Sequence, residues 1–420
     1  MTQWIKAKEN QCTEQMVYVA EKENINIKEL ISLLKKGEVV IPANNRRKFD
    51  YKGIGSGMSV KINANIGTSE QCNSLGKEIN KMKSAIEFGA DAIMDLSTGG
   101  DLNQIRKELL SECTVPFGTV PIYAIITELF AADKEVHQMD ANQLFDEIEN
   151  QAIQGVDFMT VHCGLTQENL GILKRNPRTL GMVSRGGSLL KNWMAYHKKE
   201  NPLYAEFDRL LTIAKKYDIT LSLGDALRPG CLADASDKAQ IAELSTLGEL
   251  VKRCKKEGVQ VMVEGPGHIP YHEIEMNIKL QKSLCDNAPF YVLGPLTIDN
   301  AAGYDHIVGA IGATAAASAG ADFLCYLTPA EHLCLPTLDD VKQGVIAFKI
   351  AAKSADLARQ KKKYHNEDLV VSKARAEFDW KTVCENCLDP ELAFKRKEET
   401  SPNQEECTMC GKLCAIKVSK

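Results

Sequence analysis

The 420-residue sequence contains no run of about eighteen strongly apolar residues, the length a membrane-spanning helix needs. Its nearest candidate, Ile311 to Leu327, is mostly Ala, Gly and Ser and contains Asp322, so no membrane partner is expected. The N-terminal stretch MTQWIKAKENQCTEQ has neither an apolar core nor a small-residue cleavage site, so a secretory signal is not expected and the cytoplasm is the expected compartment. Excess positive charge is missing as well: 51 Lys and Arg stand against 56 Asp and Glu, a net charge of -5. The one dense basic run, Lys361 to Lys363, lies in a mixed-charge segment, so no nucleic-acid partner is expected. What the chain does have is 14 cysteines. In a reducing compartment these read as buried small hydrophobes, metal ligands or catalytic thiols rather than a disulfide framework.

From about residue 59 to 330, short apolar runs alternate with amphipathic stretches. Nine runs stand out: 59–67, 91–97, 116–123, 156–164, 181–187, 219–225, 259–266, 288–295 and 321–329. Their near-continuous hydrophobicity fits parallel strands covered on both faces. Between them, Leu75, Ile79, Met82 and Ile86 form one helical stripe, and Ile241, Leu244, Leu247, Val251 and Cys254 another. Gly155 and Gly258 sit just before the next strand, where a helix end needs positive φ. The expected fold is α/β, a (β/α)8 barrel, with nine strand candidates for eight places. Residues 1–58 are expected to form a small N-terminal cap domain with one helix near 26–36, and residues 59–337 the barrel. Residues 338–394 read as a helical extension and 395–420 as a polar linker followed by a cysteine cluster.

Barrel enzymes draw their catalytic groups from the C-terminal ends of the strands. Here those ends carry Asn65, Met94 with Asp95, Tyr123, His162, Ser184 with Arg185, Asp225 with Arg228, and Glu264. A single polar strand end merely meets solvent, but a succession of them predicts one pocket. Ser184–Ser188 (SRGGS) offers a guanidinium, hydroxyls and glycines at an expected helix start, which suits a phosphate monoester, although such junctions also occur without one. Asp225 and Arg228 could fix a polar ring or ribose, or simply pair, and Glu264 could act as an acid, a base or a hydrogen-bond acceptor. His268 and His332 follow different strands, and could hold a divalent metal or form a hydrogen-bonded loop pair. Cys407, Cys410 and Cys414 can hold three corners of a [4Fe–4S] cube and leave one iron open for S-adenosylmethionine. The rival for two of them is a four-cysteine zinc site with Cys384 and Cys387, which leaves Cys414 unexplained.

The strings IPAN, KINANIG, MDLSTG, GTVPIY, VSRGGS, SLGDALRPG, VMVEGPGH, FYVLGPLT, GYDHI, LCYLTPAEHL and CTMCGKLC together resemble one family across essentially the whole chain. It comprises the phosphomethylpyrimidine synthases of thiamin biosynthesis and their paralogues, the 5-hydroxybenzimidazole synthases of anaerobic cobalamin biosynthesis. Both are radical S-adenosylmethionine lyases acting on 5-aminoimidazole ribotide. The resemblance implies substrate contacts at Asn65, Met94, Tyr123, His162, Ser184, Arg185, Gly186, Asp225, Ala226, Leu227, Arg228, Glu264 and Tyr291, with Asp225 and Glu264 the candidate catalytic groups. It further implies metal ligands, usually zinc, at His268 and His332, cluster ligands at Cys407, Cys410 and Cys414, an external electron donor, and a homodimer that exchanges its cluster-bearing tails. The thiamin enzymes typically read DGLRPG and LTTDIAPGYDH, where this chain has Ala226, Ile298, Asn300 and Ala302. Loop changes beside an unchanged phosphate, metal and cluster set predict the 5-hydroxybenzimidazole branch, with phosphomethylpyrimidine synthase as the alternative. An alternative of another class is a metal-dependent barrel hydrolase with a structural zinc ribbon.

Overall fold

The computed structural model describes residues 1–360, 362–400 and 405–420. Of the segments singled out above, Lys361 in the basic run and residues 401–404 in the linker lie outside the described residues. Two short strands, β1 (Val39–Val40) and β2 (Ile54–Gly55), pair antiparallel ahead of the barrel. Eight parallel strands then close on themselves: β3 (Lys61–Ile66), β4 (Ala92–Asp95), β5 (Phe117–Thr119), β6 (Phe158–Val161), β7 (Thr220–Leu223), β8 (Val261–Gly265), β9 (Phe290–Leu293) and β10 (Phe323–Cys325). Each pairs with its chain neighbour, and β10 closes onto β3 with Leu324 opposite Ile62. Nearly every strand residue is buried, as expected where helices cover one face and the barrel interior the other.

Eight of the nine apolar runs supply these strands. The exception is residues 181–187, which corrects the expectation that Ser184 and Arg185 end a strand. Ser184 instead caps the helix Arg185–His197, its Oγ accepting the Gly187 N–H at 3.2 Å. A serine followed by two glycines favours capping and a first turn bare of side chains, and this local hydrogen bond wins over a short apolar run. The expected stripe on the helix Leu75–Glu87 is also rotated. Glu78 and Lys81 are buried beside Met82, paired at 2.6 Å, and Glu78 accepts the Gly67 N–H at 2.8 Å.

The first compact unit is Met1–Ala352. Its first residues form three helices, Gln3–Lys8, Glu14–Glu23 and Ile27–Lys36, two more than the sequence pattern showed. They gather a small core of their own around Met16, Leu30, Leu34 and Ile41, and cover the N-terminal ends of the barrel strands. Gln260 accepts from the Ile41 N–H at 2.7 Å, and Asp218 accepts from Gln3 N–H at 2.9 Å. Asn44, from the IPAN string, donates to the buried carbonyls of Ala152 and Val156 at 2.8 Å each, while its own N–H reaches Asp157 at 3.0 Å. Asp157 also meets Arg47 and the Phe117 N–H. One barrel mouth is thereby closed, and any ligand must enter from the other.

The second unit, Lys353–Lys420, contains the helices Lys362–Ala376, Trp380–Glu385 and Pro390–Thr400. Residues 395–400, expected as linker, continue the last of these helices. Trp380 Nε1 donates to the Glu405 carbonyl at 2.6 Å, fastening the cysteine loop to the helical part of this unit. Among the described residues no helix is long and apolar enough to cross a membrane.

Asn44→Ala removes two hydrogen bonds into the buried floor of the barrel, and the expected cost is about 2–4 kcal/mol. Urea unfolding should register it as a lowered midpoint, whereas Asn45→Ala, which removes one exposed bond to the Lys216 carbonyl, should barely move the curve.

Candidate active site

The C-terminal ends of the strands open onto one cavity. Asn65, Met94, Tyr123, His162, Asp225, Arg228, Glu264 and Tyr291 line it, so these residues, anticipated from the sequence, do converge. Phe158 and Phe323, on diametrically opposed strands, meet edge to face at 6.1 Å in the lumen, and Tyr291 lies 4.4 Å from Phe323. These rings fill the barrel below the polar groups, which removes a path for water through the lumen. Thr160 and Cys325 also line the cavity and were not anticipated. The available signal was the strand period of two, since Thr160 precedes His162 by two residues and faces the same way.

Glu264, on β8, receives two hydroxyls through one carboxylate oxygen, from Thr160 at 2.6 Å and Ser222 at 2.7 Å. Asp225 follows β7 and receives Arg228 Nη1 at 3.2 Å on one oxygen. Its other oxygen is buried and has no hydrogen-bond partner among the described residues. A buried acceptor of this kind is normally satisfied, so it marks the place for an N–H or O–H of a ligand. Burial holds both carboxyls above the usual carboxylate range, with the Glu264 charge pushing Asp225 further and Arg228 opposing. Both carboxyls are thereby biased toward their protonated forms, which suits proton transfer.

His162 is buried and its imidazole is pushed down to about 3, first by desolvation and then by Arg228, so it is neutral. The glycines of SRGGS have a steric purpose. A Cβ on Gly186 would sit 2.4 Å from the His162 ring, and one on Gly187 would sit 2.7 Å from the Ala226 Cβ. Only a bare first turn lets this helix N-terminus lie against the cavity wall. Gly186, Ser184, Ala226 and Leu227 therefore pack behind the lining rather than in it, while exposed Arg185 places its guanidinium 5.1 Å from the Tyr123 ring at the rim. On the opposite side, Asn63 Nδ2 donates to the Tyr291 hydroxyl at 2.7 Å and to Asn65 Oδ1 at 2.8 Å. Asn65 in turn donates to the Cys325 sulfur at 3.0 Å.

His268 and His332 come together, ring centroids 5.3 Å apart. Each Nδ1 faces a carboxylate, Asp299 at 2.8 Å for His268 and Asp305 at 3.3 Å for His332. A carboxylate on Nδ1 fixes the tautomer that leaves Nε2 free to ligate, the arrangement metal-bound histidines use, so the pair fits a divalent ion with two protein donors. Cys407, Cys410 and Cys414 lie on one loop, turned by Gly411 at φ 49°. Backbone N–H groups of Cys410 and Met409 hold the Cys407 thiol below its usual range, which favours a ligating thiolate. Among the described residues, no three His, Cys, Asp or Glu side chains are drawn together as a ready metal site. Cys384 is buried on its helix, and the Cys387 thiol donates to the Val383 carbonyl at 3.2 Å.

The chain thus combines a closed barrel, carboxylates and a neutral histidine at its open mouth, and a tail with three cysteines. The profile of the Radical SAM ThiC family matches residues 2–420, and the chain belongs to that family. It is a radical S-adenosylmethionine carbon–carbon lyase with a TIM barrel, and membership brings an iron–sulfur cluster and S-adenosylmethionine as cofactors. The chain is 56% identical over 420 residues to the phosphomethylpyrimidine synthase of Caldanaerobacter subterraneus subsp. tengcongensis, covering 100% of this chain and 97% of that one. It is 56% identical over 420 residues to the protein of the same name from Carboxydothermus hydrogenoformans, covering 100% and 98%. Against that of Methanocaldococcus jannaschii the identity is 53% over 419 residues, covering 99% and 98%.

These relatives overturn the assignment to the 5-hydroxybenzimidazole branch, and with it cobalamin biosynthesis. The structure explains why the loop differences misled. Ile298, Asn300 and Ala302 are exposed, and Ala226 is buried behind the lining, so none of the four touches the cavity. Family membership likewise overturns the hydrolase alternative.

Gly186→Ala should lower activity at least tenfold by displacing His162, with the circular dichroism spectrum unchanged; activity within twofold would show that the ring has room to move. Buried carboxyls also set a pH response. Desolvation raises Asp157 and Asp218 to about 7 each, well above their unfolded values. Their contribution to stability is complete below the unfolded value and is lost as pH rises through 7. Lowered His162 acts in the opposite sense, but only below its unfolded value of about 6.5. The thermal midpoint should therefore fall between pH 6.5 and 8, and Asp218→Asn should make that fall shallower in a scanning-calorimetry series.

Proposed function

We propose that the chain is a phosphomethylpyrimidine synthase of thiamin biosynthesis. It converts 5-aminoimidazole ribotide to 4-amino-5-hydroxymethyl-2-methylpyrimidine phosphate. The observation that carries this reading is full-length identity of 50 to 56% to relatives bearing that name. Cavity chemistry supports it. The phosphate fits the rim at Arg185, whose exposed guanidinium favours an anion, with Ser184 and Gly186 shaping the helix start behind it. The unsatisfied oxygen of Asp225 accepts from the imidazole amine or a ribose hydroxyl, and Arg228 holds that carboxyl in place. Glu264, fixed by Thr160 and Ser222, takes or returns protons as the ring is rebuilt. His162, neutral and buried, hydrogen-bonds the substrate without adding charge. Asn65, Met94, Tyr123 and Tyr291 shape the remaining walls and exclude water, while Ala226 and Leu227 carry the turn that presents Asp225 and Arg228.

A [4Fe–4S] cluster on Cys407, Cys410 and Cys414 supplies, when bound, the electron that cleaves S-adenosylmethionine to a 5′-deoxyadenosyl radical. His268 and His332 would hold zinc or a similar divalent ion and orient the methionine end of that cofactor. The reading includes an external electron donor, a cytoplasmic setting and a homodimer in which the tail of one copy serves the barrel of the other. Its divisions are a cap over 1–58, the barrel over 59–337, a helical extension over 338–394, and a linker with cluster loop over 395–420.

Anaerobic incubation with 5-aminoimidazole ribotide, S-adenosylmethionine and a strong reductant, followed by mass analysis, is expected to yield the phosphorylated pyrimidine. An unphosphorylated benzimidazole as the product would sink the reading. In the same preparation, Cys414→Ala should lose the iron and visible chromophore but keep zinc, and His332→Ala should lose zinc but keep iron.

A further inference from the structure

The turn that carries Asp225 and Arg228 to the cavity is held from behind by one acidic and one basic side chain, neither of which lines the cavity. Glu243, 2% exposed on the helix Lys238–Glu257, accepts the N–H of Ala226 at 3.0 Å on one oxygen and the N–H of Leu227 at 2.6 Å on the other. Arg178 donates to the carbonyl of Leu227 at 2.7 Å and to that of Arg228 at 3.2 Å. The two together hold the N–H groups on one side of the turn and the carbonyls on the other. Arg178 is itself aimed by a bidentate pair with Asp237, at 2.7 Å on each oxygen. Asp237 is the N-cap of the helix that bears Glu243, accepting the Gln240 N–H at 2.8 Å. One helix N-terminus thus sets both jaws.

We propose that Glu243 and Arg178 form a backbone clamp, and are positioning residues that fix Asp225 and Arg228 for the ribotide. The chemistry of each jaw is specific. Two consecutive N–H donors need two acceptor oxygens on one rigid group, which a carboxylate provides and a glutamine amide does not. Two carbonyls and a carboxylate together need a planar, multi-donor cation, which lysine cannot imitate. Burying Glu243 is costly, since desolvation raises it to about 8 while the N–H groups of Leu227 and Ala226 pull the other way. Such a cost fits a place where the path of one turn matters more than stability. The wall opposite leaves little slack, because the Gly187 position already approaches Ala226 as closely as a bare glycine allows.

The proposal rests on the ribotide reading of the cavity, so its test has one arm that needs no substrate. In the ligand-free protein, hydrogen exchange of a peptide covering residues 224–230 should accelerate at least tenfold in Glu243→Gln and in Arg178→Lys, with the peptides of β3 and β6 unchanged. A smaller acceleration, or one spread over the barrel, overturns the clamp. Where the parent protein binds 5-aminoimidazole ribotide, calorimetry should show affinity at least fivefold weaker in either variant, with S-adenosylmethionine binding unchanged. Added to Arg228→Ala, the same substitutions should cost less than a further twofold, because they act through the turn that Arg228 occupies. A smaller loss of affinity, or a full second loss in the Arg228→Ala background, overturns the proposal. Failure of both variants to fold also overturns it, since the pair would then hold the barrel rather than the turn. Should the parent protein not bind the ribotide, the functional reading fails and the exchange arm alone decides the clamp.

Discussion

Closure of the sheet is the constraint on which the rest of this protein depends. Eight parallel strands joined edge to edge leave no unpaired backbone and only two mouths. The helices Gln3–Lys8, Glu14–Glu23 and Ile27–Lys36 and the Asn44 turn seal one of them, and the rings of Phe158 and Phe323 fill the lumen between. Polar side chains at the remaining mouth consequently stand in a half-closed, poorly hydrated space. Desolvation there raises Asp225 and Glu264 and keeps His162 uncharged. A radical reaction benefits from such a space, because water and competing hydrogen donors are kept from the reacting carbon atoms.

The site is built in layers. Asp225, Arg228, Glu264 and His162 face the cavity. Behind them, Thr160 and Ser222 hold Glu264, Gly186 makes room for His162, and Glu243 with Arg178 holds the Asp225 turn. Asp299 and Asp305 orient the two histidines in the same manner. Each facing group is thus fixed by a neighbouring protein side chain or backbone, which limits how far a substrate of changing shape can pull the site out of order.

Much of this was legible in the sequence because strand residues covered on both faces write themselves as apolar runs, and because polar residues at the ends of such runs have one place to go. The run at 181–187 shows the limit. Its composition fits a strand, and only the local hydrogen bond from Gly187 to Ser184 makes it a helix start. Ala226, Ile298, Asn300 and Ala302 show a second limit. Proximity to motif residues in the chain suggested contact with substrate, whereas three of them face solvent and the fourth faces away from the cavity.

Periodicity, composition and motif spacing by themselves determined the barrel, the tail of three cysteines and most of the cavity lining, since these depend on which residues alternate along the chain, and the resemblance of the motif strings pointed to the family. Tertiary structure alone decided which of nine runs is not a strand, that Glu78 and Lys81 are buried as a pair, and that Asn44 joins the cap to the barrel floor. It also decided that Glu243 and Arg178, distant in sequence from the turn at Asp225, grip its backbone. Backbone N–H and carbonyl groups are the same in every residue, so a side chain that binds them leaves no complementary residue in the sequence to read. Only the approach of the chain to itself in space reveals such a partner.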